Sequence, residues 1–261
     1  PEVLVERGVI PGIKVDAGAK PLAGSDGEKV TEGLDGLRER LEEYRGLGAR
    51  FAKWRAVIAI GDGIPTRYCL EANAHALARY AALCQEQGIV PVVEPEVLMD
   101  GEHGIDRSYE ATAATLHAVF DELFRQRVLL EGMLLKPNMV MSGFECPEQA
   151  GVEEVAHTTL RCLKREVPAA VPGIVFLSGG QSDQRATEHL NAMNVIGGAP
   201  WEISFSYARA LQAAPLAEWA GDGAKADSAQ AAFHQRARST SAARRGEYSA
   251  GMEREATAGA T

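Results

Sequence analysis

The sequence predicts an α/β protein of the (β/α)8 TIM-barrel type, with about six of the eight βα units present in its 261 residues. Three observations carry that expectation. Apolar strand-like runs alternate with amphipathic segments of helical length, which is the pattern of βα units on a parallel sheet. The first such run, in "GIKVDAGAKPLAG", is not followed by the GxGxxG turn of an open dinucleotide-binding sheet. Polar pairs also stand late in four successive strands, where a barrel builds its site.

In chain order, the strand-like runs cover residues 9–16, 51–60, 89–98, 130–140, 173–179 and 201–207. Each is rich in β-branched or large apolar residues and is bounded by Gly, Pro or polar residues. Between them the 3.6-residue period predicts helices over 32–47, 67–87, 108–127, 147–166 and 182–194. A final helix, rich in Ala, Gln and Arg, is expected over 227–245, followed by small and polar residues. These elements make one partial barrel domain over 1–248, helix included, and a flexible tail over 249–261.

Composition narrows the function. The chain has 36 acidic and 27 basic residues, a net charge of −9, which disfavours a nucleic-acid partner. The four cysteines, Cys69, Cys84, Cys146 and Cys162, form no CxxC pair and suggest neither a zinc site nor a disulfide framework. No apolar run reaches the about 18 residues of a membrane span, and no signal peptide is visible. A cytoplasmic protein is expected.

The polar pairs are Lys14 with Asp16, Lys53 with Arg55, Glu94 with Glu96, and Lys136 with Asn138. Residues two apart share a face of a strand, so in a closed barrel all four pairs converge on the axis. A lone pair is ordinarily a surface feature; four in register argue for a site. Lys136 is the most informative member, because "EGMLLKPNMV" otherwise reads as buried. A lysine there either sheds its proton, becoming a nucleophile, or lays its stem over the core and sends its head to water. "LSGGQS" at 177–182 ends the fifth run and leads into a helix, an arrangement suited to an anion through backbone N–H groups. "SFSYARAL" at 204–211 adds hydroxyls and Arg209 after the last run, and barrels often hold phosphate between their final two strands. A lysine nucleophile, proton-carrying carboxylates and a phosphate cradle together suit Schiff-base chemistry on a ketose phosphate.

"VLLEGMLLKPN", at 128–138, resembles the active-site signature of class I fructose-bisphosphate aldolases. The likeness continues through "GIKVDAGAKPLAGSDGE", "GLDGLRERLEEY", "ARFAKWR", "GIVPVVEPEVLMDGEH", "VFLSGGQS" and "SFSYARALQ", to about Tyr248. The resemblance implies a lyase that reversibly cleaves fructose 1,6-bisphosphate through a lysine Schiff base, without metal or cofactor. It implies Lys136 as the Schiff-base lysine, Glu94 as general acid/base supported by Glu96, and Lys53 as proton and charge partner. Lys14 and Arg55 would bind one phosphate, and Ser178, Gly179, Ser206 and Arg209 the other. It further implies a homo-oligomer, commonly a tetramer, with a small sugar phosphate as substrate and no membrane or nucleic-acid partner.

Three departures stand out. Ala208 occupies a position where many members carry Gly, the C-terminal segment lacks the terminal tyrosine of many animal enzymes, and the resemblance implies that the first two βα units are missing before Pro1. With them goes a first-strand aspartate. The alternative to an active lyase is therefore a catalytically impaired fragment that binds sugar phosphates or proteins. Other features carry bland readings. "LMDGEHGID" reads as a solvated loop, His75, His117, His157 and His189 as surface or packing residues, and Trp54 as outward-facing beneath a helix.

Overall fold

The computed structural model describes residues 1–253, so most of the expected 249–261 tail lies outside the described residues. A short helix α1 (Glu2–Glu6) and strand β1 (Gly12–Lys14) lead into a hairpin of β2 (Gly18–Pro21) and β3 (Lys29–Glu32). Then come α2 (Leu37–Gly46), β4 (Phe51–Ile58), α3 (Arg67–Glu86), β5 (Val90–Val97), α4 (Ile105–Arg125) and β6 (Leu134–Leu135). The chain closes with α5 (Val152–Glu166), β7 (Gly173–Phe176), α6 (Asp183–Ile196), β8 (Glu202–Phe205), α7 (Arg209–Trp219) and α8 (Ala226–Arg244).

The six parallel strands lie in the order β1-β4-β5-β6-β7-β8, each hydrogen-bonded to its neighbours, with β1 and β8 as free edges. This is a partial barrel: the strand order rises along the chain and right through the sheet, but the sheet does not close. The core sits on its convex side. In β4, Ala52, Trp54 and Ala56 alternate inward under the helices while Phe51, Lys53 and Arg55 face the concave side. Trp54 is fully buried and stacks on Tyr80, with ring centroids 5.6 Å apart. The Tyr80 hydroxyl donates to the Ala52 carbonyl at 2.6 Å, which ties α3 to β4. Burying an aromatic of this size contributes on the order of 3 kcal/mol.

Several expectations need correction. The helix expected from residue 32 begins at Leu37, because 29–32 pair with β2 instead. The run 130–140 yields only two ladder residues. It starts as a 3-10 turn at Leu130–Gly132, and Pro137 can donate no ladder bond. Helix α4 starts earlier than expected, at Ile105, and α5 later, at Val152. Helix α7 was not expected at all.

Candidate functional site

The registers set the level of each polar side chain. Lys14 lies opposite Lys53, Arg55 opposite Glu94, and Val92 opposite Leu134. Lys136, two residues beyond Leu134, donates its backbone N–H to the Val93 carbonyl at 2.8 Å and so stands level with Glu94. Lys53 starts one layer lower and sends its long stem upward. Glu94 thus lies between two ammonium groups: Lys136 Nζ is 3.0 Å from Oε1 and Lys53 Nζ is 2.7 Å from Oε2. The carboxylate is 4% exposed, Lys136 11% and Lys53 22%.

This geometry answers the burial problem in a third way. Lys136 neither stands alone in an apolar run nor escapes to water, because a buried carboxylate compensates its charge. The Lys53 contact with Oε2 is a close ion pair that lacks hydrogen-bond geometry.

The other polar pairs divide. Arg55 Nε is bonded to the buried Glu96 carboxylate, which holds the guanidinium charge even more firmly than usual through that hydrogen bond. Lys14 is 53% exposed and paired with Asp16 at 2.5 Å. Asp16 also accepts from the Gly18 and Arg55 N–H groups, at 3.0 and 3.2 Å, so its carboxylate secures the turn after β1. Asn138 is not part of the site. It accepts from the Val97 N–H at 3.0 Å and donates to Thr112 Oγ1 at 3.1 Å, which turns it toward α4. A trough of about 560 Å3 runs along the concave face and takes in Lys14, Lys53, Lys136 and Ser206. Its walls are otherwise mainly apolar, with Phe51, Val92, Leu134 and Phe205 among them.

The candidate anion loop lies between β7 and α6. Gly179 and Gly180 have φ of 62° and 97°, a region that favours glycine. A Cβ on Gly179 would approach the Met99 thioether to 2.6 Å, and one on Gly180 would approach the Arg209 guanidinium to 3.3 Å. Arg209 therefore lies against the loop. Ser182 caps α6, accepting from the Arg185 N–H at 3.2 Å, so the helix N-terminus faces the same region. Ser206 follows β8, and its N–H donates to the Phe176 carbonyl at 2.9 Å, keeping the two loops side by side. Ser178 is buried, whereas the Ser206 and Arg209 side chains are exposed.

Sequence reasoning missed the groups that brace these loops. The Tyr207 hydroxyl donates to the Ala186 carbonyl of α6 at 2.9 Å, and burial raises its pKa. Arg236 on α8 is buried and donates to the Asp183 carbonyl and Thr187 Oγ1, at 2.9 and 2.8 Å. Its Nε reaches the Ala210 carbonyl at 3.4 Å, so one guanidinium joins the starts of α6 and α7. Glu253, in the expected tail, pairs with Arg236 at 2.5 Å. His189, expected as a surface or packing residue, is buried and bonded to Gln181 of the anion loop. Three cysteines are inert by comparison, burial pushing Cys69 up to about 11 and Cys84 and Cys162 to about 12.

Fold and side chains together define a class: a βα-barrel-type protein whose concave face carries a lysine–carboxylate–lysine cluster beside a glycine-rich loop. The family model for fructose-bisphosphate aldolase class-I matches residues 1–261. A probable fructose-bisphosphate aldolase class 1 of Xanthomonas campestris is 65% identical over 219 residues, covering 84% of this chain and 66% of the relative. Cytosolic fructose-bisphosphate aldolase 4 of Arabidopsis thaliana is 50% identical over 248 residues, covering 95% of this chain and 63% of the relative. Among solved structures, a Plasmodium falciparum fructose-bisphosphate aldolase, crystallised with TRAP and a small-molecule inhibitor, superposes with a TM-score of 0.93. It is 47% identical, with 95% of this chain and 72% of that one covered. The chain belongs to the class-I fructose-bisphosphate aldolase family, and it spans 66% of the length of the Xanthomonas relative.

Proposed function

We propose that this chain carries the lysine centre of a lyase that reversibly cleaves fructose 1,6-bisphosphate to dihydroxyacetone phosphate and glyceraldehyde 3-phosphate. The observation that carries the reading is Glu94 set between Lys136 and Lys53, within ion-pair distance of both. Proton transfer from the Lys136 ammonium to Glu94 frees the amine, which adds to the C2 ketone. Glu94 returns that proton to the carbinolamine hydroxyl, water leaves, and a cationic iminium forms. The carboxylate then takes the proton of the C4 hydroxyl. The C3–C4 electron pair moves into the iminium, glyceraldehyde 3-phosphate departs, and an enamine remains on Lys136. Protonation of C3 by Glu94, followed by addition of water at C2, releases dihydroxyacetone phosphate and restores the amine.

Lys53, beside Glu94, is the proton-transfer and charge partner, and Glu96 orients Arg55. One phosphate is assigned to Ser178, Gly179, Ser206 and Arg209, and the other to Lys14 and Arg55. Lys14 is exposed and can turn toward an anion, while the buried Asp16 carboxylate keeps its bonds from the Gly18 and Arg55 N–H groups. Among the described residues no helix is long and apolar enough to cross a membrane. A cytoplasmic setting is proposed from the cytosolic Arabidopsis relative, and a homo-oligomer from the family resemblance. The reading is tested by following triose-phosphate release from fructose 1,6-bisphosphate. Lys136→Met is expected to lower kcat about 10³-fold or more. A Lys136→Met protein that keeps the wild-type rate would refute the assignment.

A further inference from the structure

The His189 imidazole is 2% exposed and takes no part in the chemistry above. Its Nδ1 lies 2.7 Å from Gln181 Oε1. Gln181 is also buried, and its side-chain amide donates to the Ser178 carbonyl at 3.0 Å, while its backbone N–H donates to the same oxygen at 3.1 Å. An amide group that donates through Nε2 is left to accept through Oε1, so Nδ1 is the protonated nitrogen of His189. Donation therefore runs in one direction, from His189 to Gln181 to Ser178. Burial, reinforced by the charge of Arg185, lowers the histidine to about 4 and keeps the ring neutral.

That direction matters at the glycine-rich loop. A trans peptide unit is planar, so its carbonyl and the following N–H point opposite ways. Two donors hold the Ser178 carbonyl toward the buried Gln181, which turns the Gly179 N–H the other way. Among the described residues, neither the Gly179 nor the Gly180 N–H has a backbone acceptor. Arg209 lies against the next residue of the loop, Gly180.

We propose that His189 is a positioning residue: through Gln181 it fixes the Ser178–Gly179 peptide so that the Gly179 N–H is presented to the substrate's phosphate. The inference rests on the phosphate reading given above. Removing the imidazole donor leaves Gln181 Oε1 buried and unpaired, which releases the amide, and with it the peptide, from a single orientation. Phosphate affinity should suffer while the lysine chemistry, built on other strands, should not.

The test compares borohydride-trappable adduct formation with dihydroxyacetone phosphate and with dihydroxyacetone, in wild type, His189→Leu and His189→Asn. Asn can supply a donor at a similar distance along the side chain, so it serves as the conservative variant. For His189→Leu, the dihydroxyacetone phosphate concentration giving half-maximal trapping should rise about tenfold, with trapping by dihydroxyacetone unchanged and His189→Asn near wild type. No rise in His189→Leu, or an equal loss with both ketones, would overturn the positioning role. A wild-type protein that traps the two ketones at equal concentrations would remove the phosphate reading, and the proposal with it.

Discussion

Glu94 is the residue on which the cluster turns, because it compensates two partly buried ammonium groups at once. Glu94→Gln keeps the volume but leaves Lys53 and Lys136 facing each other without a counter-charge. Stability should fall by about 3–5 kcal/mol in denaturant titration, and cleavage by about 10²–10⁴-fold, as expected for loss of a general acid/base. His189 gives a pH prediction. Its native value of about 4 lies below the ordinary 6.5, so between these the unfolded chain binds a proton that the native state refuses. Native stability should therefore decline as pH falls from 6.5 to about 4, by about 3 kcal/mol when the decline is complete. His189→Asn should lose this share of the slope, which unfolding at pH 7 and pH 4.5 would reveal. Much of the residue-level pattern was legible: alternation along "FAKWR" and "VVEPEV" turns Lys53, Arg55, Glu94 and Glu96 to one face. Their pairing was not. Which carboxylate meets which cation depends on a register offset between strands, and Asn138 left the expected set because β6 ends before it. Gln181 stood inside a quoted motif, yet nothing in its spacing marked His189 as its partner.

At the scale of elements, α3 depends on its first turn. Thr66 accepts from the Cys69 N–H at 3.2 Å, and its own N–H and hydroxyl both donate to Glu28 at 2.6 Å. Burial pushes the Glu28 carboxyl up, but hydrogen bonds from Ser25 and Thr66 outweigh it and hold the pKa below its usual value. The cap thus joins the β2–β3 hairpin loop to the helix behind β4. Thr66→Ala should cost about 1–2 kcal/mol and lower Tm by about 2–8 °C in a thermal scan. Helices with long apolar stripes, such as α3 and α4, were readable from periodicity. The hairpin was not, since "KVTE" adjoins a helical pattern and its pairing with residues 18–21 is a tertiary choice. Helix α7 was hidden by Pro215, which sits inside it and reads as a breaker.

Across the whole molecule, the sheet leaves the outer edges of β1 and β8 unpaired among the described residues and an apolar trough open on the concave face. Unpaired strand edges beside apolar surface favour association. Light scattering on this chain should show mass rising with protein concentration, and a constant monomer mass would contradict that expectation. The alternation of strands and helices was enough to predict the parallel sheet and its open state, because both follow from counting units. Where the trough runs, and that its walls stay largely apolar beside three lysines, required the folded sheet. Lys136 is proposed to form the Schiff base, and borohydride reduction with dihydroxyacetone phosphate followed by peptide mass mapping should find one reduced adduct, on Lys136, in protein shown to be folded by circular dichroism. An adduct on Lys53 or Lys14 instead, or folded protein with no adduct, would contradict it.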